Sequence, residues 1–172
     1  MAGLLAAALD PPGALLDKDT LYRGFVAATL HAAGRPYGER EGAWYDENIK
    51  KHEYEGMAAA TREVRRHGCP VVLVGPFTSQ IHDRDRWAAF VDELGGPPVR
   101  LVWVSIDATT LRERLINRAD PSDAAKLDRY EAFVAAIRPG QPPPVPHHEV
   151  DNRRGTDSLA AAVARIAHHT SA

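Results

Sequence analysis

Cysteine is almost missing from this chain, and Cys69 is the single thiol. One thiol excludes an internal disulfide framework and a cysteine-based zinc site, and it makes a reducing compartment, the cytoplasm, the default. An excess of either charge is missing too. The formal net charge of −2 gives no electrostatic basis for a nucleic-acid or membrane partner. Long apolar runs are missing as well. Ala2 to Leu9 is apolar, but it is far shorter than a membrane span and lacks a basic stretch, so it reads neither as a transmembrane helix nor as a signal peptide. No repeat and no linker divides the sequence, and 172 residues point to one domain spanning 1–172.

What is present is the composition of a folded protein. Hydrophobic residues make up 44% and charged residues 26%, which excludes a disordered chain. Met1 to Leu9 is rich in Ala and Leu and predicts a helix, stopped by Asp10-Pro11-Pro12-Gly13. Ala14-Leu15-Leu16 predicts a buried strand that ends in Asp17-Lys18-Asp19. Thr20 to Ala33 has helical periodicity, Gly34 to Gly42 a loop, and Trp44 to His67 one long helical stretch closed by Gly68. Val71 to Val74 reads as a parallel strand buried on both faces. A helix over Asp83 to Leu94, a strand over Val99 to Ile106 and a helix from Asp107 or Thr109 to Arg118 follow. Pro121 to Ile137 predicts a helix broken near its start, Gln141 to Pro146 an extended connection, and Glu149-Val150 the start of a last strand. Thr156 to His169 predicts the closing amphipathic helix.

Strands alternating with helices predict an α/β domain, a parallel sheet covered on both faces in three layers. Ligands in such sheets sit at the C-terminal ends of the strands. Asp17, Asp19, Gly75, Pro76, Ser105, Asp107, Asp151 and Asn152 occupy those ends. A carboxylate just past a buried strand can take a proton from a substrate hydroxyl or organise Mg²⁺. One of Asp17 and Asp19 can instead cap the next helix, and Asp19 stands just before Thr20, where a cap is expected. The arginines at 112, 114 and 118, followed by Asp120, Asp123 and Lys126, fit either a phosphate clamp or a solvated helix face. Neighbouring residues on a strand point to opposite faces, so His147-His148 makes a poor chelating pair, and no metal ligands are assigned.

The order of these features resembles that of a known family. An Ala/Leu helix, a strand ending in D-x-D-T, a long helical insert, a strand ending at Gly75, a fourth strand with an Arg-rich helix, and Asp151-Asn152 on a final strand resemble the P-loop kinases. The resemblance is to those grouped with zeta toxins, chloramphenicol phosphotransferases and related bacterial AAA-type ATP-binding proteins. It implies a protein that uses ATP and Mg²⁺ to phosphorylate a hydroxyl of a small molecule. It implies Asp19 as the acceptor base, with Asp17 as the alternative, and Arg118 and Arg114 as lid residues over the phosphates. It places Asn152 and Arg153 beside the adenine and gives the insert, including Trp44 and Tyr45, a part in the acceptor pocket. Where relatives often carry an acid at the end of the third strand, this sequence has Gly75.

The loop G-x-x-x-x-G-K-[ST], whose backbone N–H groups, lysine and hydroxyl hold phosphates and Mg²⁺, does not occur in the sequence. The resemblance puts it directly before Met1-Ala2-Gly3-Leu4-Leu5, at the end of a strand lying between those at Val71 and Val99. The expectation is therefore a P-loop NTPase-like domain without its first central strand and loop, impaired in ATP binding, whose true start lies upstream. The two flanking strands should then either pair directly or face each other across an apolar slot. A non-catalytic binding or regulatory module is the alternative, and a nucleotide hydrolase without a dedicated acceptor is a third option.

Overall fold

The computed structural model describes residues 1–153 and 159–168. Helix α1 (Ala2–Ala8) ends where Leu9 turns extended ahead of Pro11 and Pro12. Strand β1 (Ala14–Asp17) runs straight into α2 (Lys18–Ala32). The junction is sharp because Asp17 is extended and its Oδ1 accepts a hydrogen bond from the backbone N–H of Thr20 at 2.7 Å. Asp17, not Asp19, is the cap. Asp19 already lies inside the first helical turn, which turns its carboxylate away from the capping position.

After the loop come α3 (Ala43–Tyr45), a π-helical turn (Asp46–Lys50) and α4 (Lys51–Arg65). The long helix expected from Trp44 to His67 is thus interrupted by a wider turn, of a kind common beside functional groups. Strand β2 (Val71–Val74) is followed by the short α5 (Thr78–Ile81) and by α6 (Arg84–Glu93), capped by Asp83. Strand β3 (Leu101–Ser105) leads to α7 (Ala108–Arg118), whose first turn is held by the Asp107 carboxylate through Thr110. A 3-10 turn (Pro121–Asp123), α8 (Ala124–Asp128) and α9 (Tyr130–Ile137) replace the single broken helix expected there. Strand β4 (His147–Asp151) begins two residues earlier than expected, and α10 (Leu159–His168) closes the chain. The expected closing helix also included Thr156 and His169, which lie outside the described residues.

The strands form two parallel pairs rather than one sheet. Ala14 faces Val71 and Asp17 faces Val74 in the first pair, and Leu101 faces His147 and Ser105 faces Asp151 in the second. Among the described residues no strand joins β2 to β3. A cavity of about 1570 Å³ is lined by Val71 to Val74 on one side and Val99 to Val104 on the other. Of the two outcomes foreseen for these strands, the structure shows the slot.

The slot explains a failed expectation. Val71 to Val74 are all half-buried rather than buried on both faces, because their inner edge borders the cavity. Helices nevertheless hold the two pairs in register. Met57, Phe77, Phe90 and Leu94 pack with Trp103 and reach both Leu73 and Leu101. Leu5, Val163 and Ile166 pack with Val150 and reach both Val72 and Val102. Each cluster therefore bridges the gap, while the backbone edges between them stay without ladder partners. Such edges are costly to bury and ready to pair.

Candidate functional site

The site starts from a buried acid. Glu53 on α4 is 1% exposed, and a lone carboxylate there would cost several kcal/mol, on the order of an ion's desolvation penalty. Two donors offset this. Lys18 donates from Nζ to Oε1 at 3.0 Å, and the Tyr45 hydroxyl donates to Oε2 at 3.1 Å. Burial and the Glu53 charge push the Tyr45 phenol well above its ordinary range, so it stays a donor. The π-helical turn just after Tyr45 joins the segment that carries this phenol to the helix that carries Glu53.

Lys18 carries the link outward. It is 12% exposed, and its Nζ also reaches Asp19 Oδ1 at 3.2 Å. Arg40 Nη1 lies 3.9 Å from the same oxygen. Asp19 itself is 55% exposed and lines the cavity. Partial burial would raise its pKa, but the charges of Lys18, Arg40 and Lys126 and the Lys18 hydrogen bond outweigh that and hold it below the usual carboxylate range. The result is an ionised carboxylate, fixed through one oxygen by a lysine that is itself anchored to a buried acid.

A second buried acid organises another part of the cavity lining. Asp123 is fully buried and accepts from Arg118 through Nε at 2.9 Å and through Nη2, and from Lys126 Nζ at 2.8 Å. Arg118 is 58% exposed, and Arg118 and Lys126 both line the cavity with Asp19. Asp120, capping the 3-10 turn through Ser122, is held low by those hydrogen bonds and by the charges of Arg118 and Arg23.

The remaining residues singled out in the sequence lie elsewhere. Asp17 is engaged as a cap. Arg114 donates to the Asn152 carbonyl at 2.7 Å, and neither residue lines the cavity. Arg153 pairs with Asp151, and its hydrogen bonds, through side chain and backbone, hold that carboxyl down at about 2. Tyr45 lines the cavity and Trp44 does not; Trp44 stacks under Arg35 instead. Sequence reasoning passed over Lys18, Glu53, Arg40 and Arg23. The spacing of Asp19 and Arg23, four apart on one helix, was a readable signal for the last. Nothing local marked Glu53, whose role comes from tertiary packing.

Residues 4–139 match the family model described as an AAA domain, and the chain belongs to that family, whose fold is of the P-loop nucleotide-binding, kinase-like type. No curated protein and no solved structure matches the chain.

Nucleotide and Mg²⁺ binding is general in that family, and the described residues fit only part of such a site. Arg118 and Lys126 present cationic groups at the cavity. The backbone cradle for phosphates is not among them, since residues 1–172 contain no G-x-x-x-x-G-K-[ST]. The end of β2 carries Gly75 rather than an acid, and a Cβ there would sit tightly against the Phe77 ring, at 3.2 Å. Among the described residues no three His, Cys, Asp or Glu side chains come together to hold a metal.

Proposed function

We propose that this chain is the acceptor side of a kinase domain that transfers a phosphoryl group from ATP to a hydroxyl of a small molecule. The observation that carries the reading is Asp19, ionised and held by Lys18 from the buried Glu53 in the lining of a large cavity. A carboxylate so fixed orients a hydroxyl by accepting its hydrogen bond and takes its proton as the oxygen attacks. Phosphoryl transfer asks for little more than positioning and charge neutralisation. Arg118, steered by Asp123, is the cation suited to the second task.

Nucleotide binding needs the missing cradle. The two strand pairs, bridged on both faces by helices, are consistent with a three-layer sheet that one further strand between β2 and β3 would complete, with the phosphate loop after it. Residues 1–172 alone should then bind ATP weakly. The open edges of β2 and β3 also favour a second reading, a non-catalytic module that receives a strand from a partner.

The test begins with the intact mass of the protein from its source, followed by an acceptor screen with ATP and Mg²⁺. The kinase reading expects acceptor-dependent phosphate transfer that Asp19→Asn lowers by about 10²–10⁴-fold. Transfer untouched by Asp19→Asn sinks the assignment of Asp19. Phosphate release that needs no acceptor points to a hydrolase, and a native protein that binds no ATP points to the binding module.

A further inference from the structure

We infer that the acceptor taken at Asp19 carries an anionic group, a phosphate or a carboxylate, held between Arg23 and Arg40. This rests on the reading of Asp19 as the acceptor-side carboxylate and names the class of compound which that reading leaves open.

Arg40 is the first reason. Its side chain is 11% exposed, and its Nε and Nη2 are buried without a hydrogen-bond partner. The nearest acid, Asp19, stands 3.9 Å from Nη1, too far for a hydrogen bond. The Tyr37 ring flanks the guanidinium and the Tyr45 phenol interacts with it by charge and hydrogen bonding, yet Nε and Nη2 stay without a partner. A buried donor left alone is unfavourable, and a guanidinium fork is matched best by two oxygens of one anion.

Arg23 is the second. It lies one helical turn beyond Asp19 on α2, four residues along and on the same face. It is exposed, lines the cavity, and makes no hydrogen bond or ion pair among the described residues. Three other cations of the cavity lining are already matched, Lys18 by Glu53 and both Arg118 and Lys126 by Asp123. The cations with hydrogen-bonding capacity to spare are therefore Arg23, whose charge otherwise acts on Asp120, and Arg40, which stands 3.9 Å from Asp19. Side chains one turn apart have Cβ atoms about 5–6 Å from each other. The compound that fits is small, with its anionic group a few bonds from the hydroxyl that Asp19 receives, as in a hydroxy acid or a sugar phosphate.

Inorganic phosphate is the probe, titrated calorimetrically into the full chain without nucleotide. Wild type binds it, and Arg23→Gln and Arg40→Gln each weaken binding about tenfold or more, the loss expected for one charge-assisted hydrogen bond. Arg84→Gln, exposed at the start of α6, leaves the affinity unchanged. No binding by wild type, or equal binding by both cavity variants, overturns the proposal.

Two further arms separate the sources and the fold. ADP leaves phosphate binding undisturbed if the anion belongs to the acceptor; displacement by ADP assigns the site to the nucleotide and overturns the acceptor class. Without phosphate, Arg40→Gln melts at or above the wild-type temperature, because it removes buried donors that lack partners. A lower melting temperature shows that Arg40 is already satisfied in the free chain and overturns the proposal as well. None of these readouts uses ATP turnover, so loss of anion binding and loss of Asp19-dependent transfer are scored separately.

Discussion

Two charged clusters stand at strand ends in this molecule, and they are built in opposite ways. At the end of β1, a buried carboxylate holds a lysine, and the lysine holds an exposed carboxylate at a cavity. At the end of β4, Asp151 and Arg153 pair with each other in solvent, and Arg114 is tied to a backbone carbonyl. The first cluster fixes a charge and leaves part of it free. The second uses its charges on one another. Position at a strand end does not separate the two, since both occupy the expected place; the buried anchor does.

The strongest way to break the comparison is to remove that anchor. Glu53→Ala leaves Lys18 buried without its partner, which costs about 3–5 kcal/mol and should show in urea denaturation as a lower midpoint. Glu53→Gln keeps an acceptor for the Tyr45 hydroxyl and should cost less. In both variants the Asp19 carboxyl should titrate differently, because Lys18, the leading contributor holding it low, is released. An unchanged midpoint in Glu53→Ala would remove the anchor from the account.

Much of this was legible in the sequence, for physical reasons that stop at a definite point. Short apolar runs between Pro and Gly located β1, β2 and β3, because burial and chain-breaking act locally. Asp107, one of two caps the sequence offered beside Thr109, is the one used, a contact spanning three residues. Asp19 stood out because it follows a strand. The cap between Asp17 and Asp19 was misassigned, since the sequence does not show on which residue the chain leaves the extended conformation. Glu53 was unreadable: it lies 35 residues from Lys18, in a helix full of other charges, and only packing separates it from them. The separation of the strands into two pairs was one of two outcomes expected from a missing motif, and no residue present chose between them.

The Asp123 cluster offers a smaller break. Asp123→Ala strips the shared acceptor from Arg118 and Lys126. Both cations reach solvent, so the expected cost is that of lost charge-assisted bonds, about 1.5–3 kcal/mol. The variant should also bind anions more tightly at the cavity, since two more cations become available there. Phosphate affinity unchanged or reduced would mean that Arg118 and Lys126 do not face the anion site.

The adjacent pair on β1 and α2 sharpens the contrast on a finer scale. Asp17→Ala loses a helix cap and should cost about 1 kcal/mol. Asp19→Ala, more than half exposed, should cost less, about 0–1 kcal/mol for a solvated pair. Activity should rank the two in reverse. Equal stability losses would erase the division between a structural and a chemical carboxylate.

The smallest effect lies in acid, where the two clusters share a sign and differ in reach. Asp19 and Asp151 both have folded pKa values below the ordinary 3.8. A depressed carboxyl contributes stability above its unfolded pKa and loses it as pH falls through the folded one. For Asp151 that window runs from 3.8 down to about 2. Its cause is hydrogen bonding to an exposed Arg153, so added salt should weaken only the Coulombic part of the pairing. Asp19 is held low mainly by Lys18 and Arg40 against a burial that opposes them. Carboxyl-carbon NMR titration should therefore place the Asp151 midpoint near 2 in wild type, unmoved by Glu53→Gln. The Asp19 midpoint should shift in that variant. Joint movement of the two midpoints would show one connected network where the structure shows two, and the distinction between an anchored charge and a self-paired one would go with it.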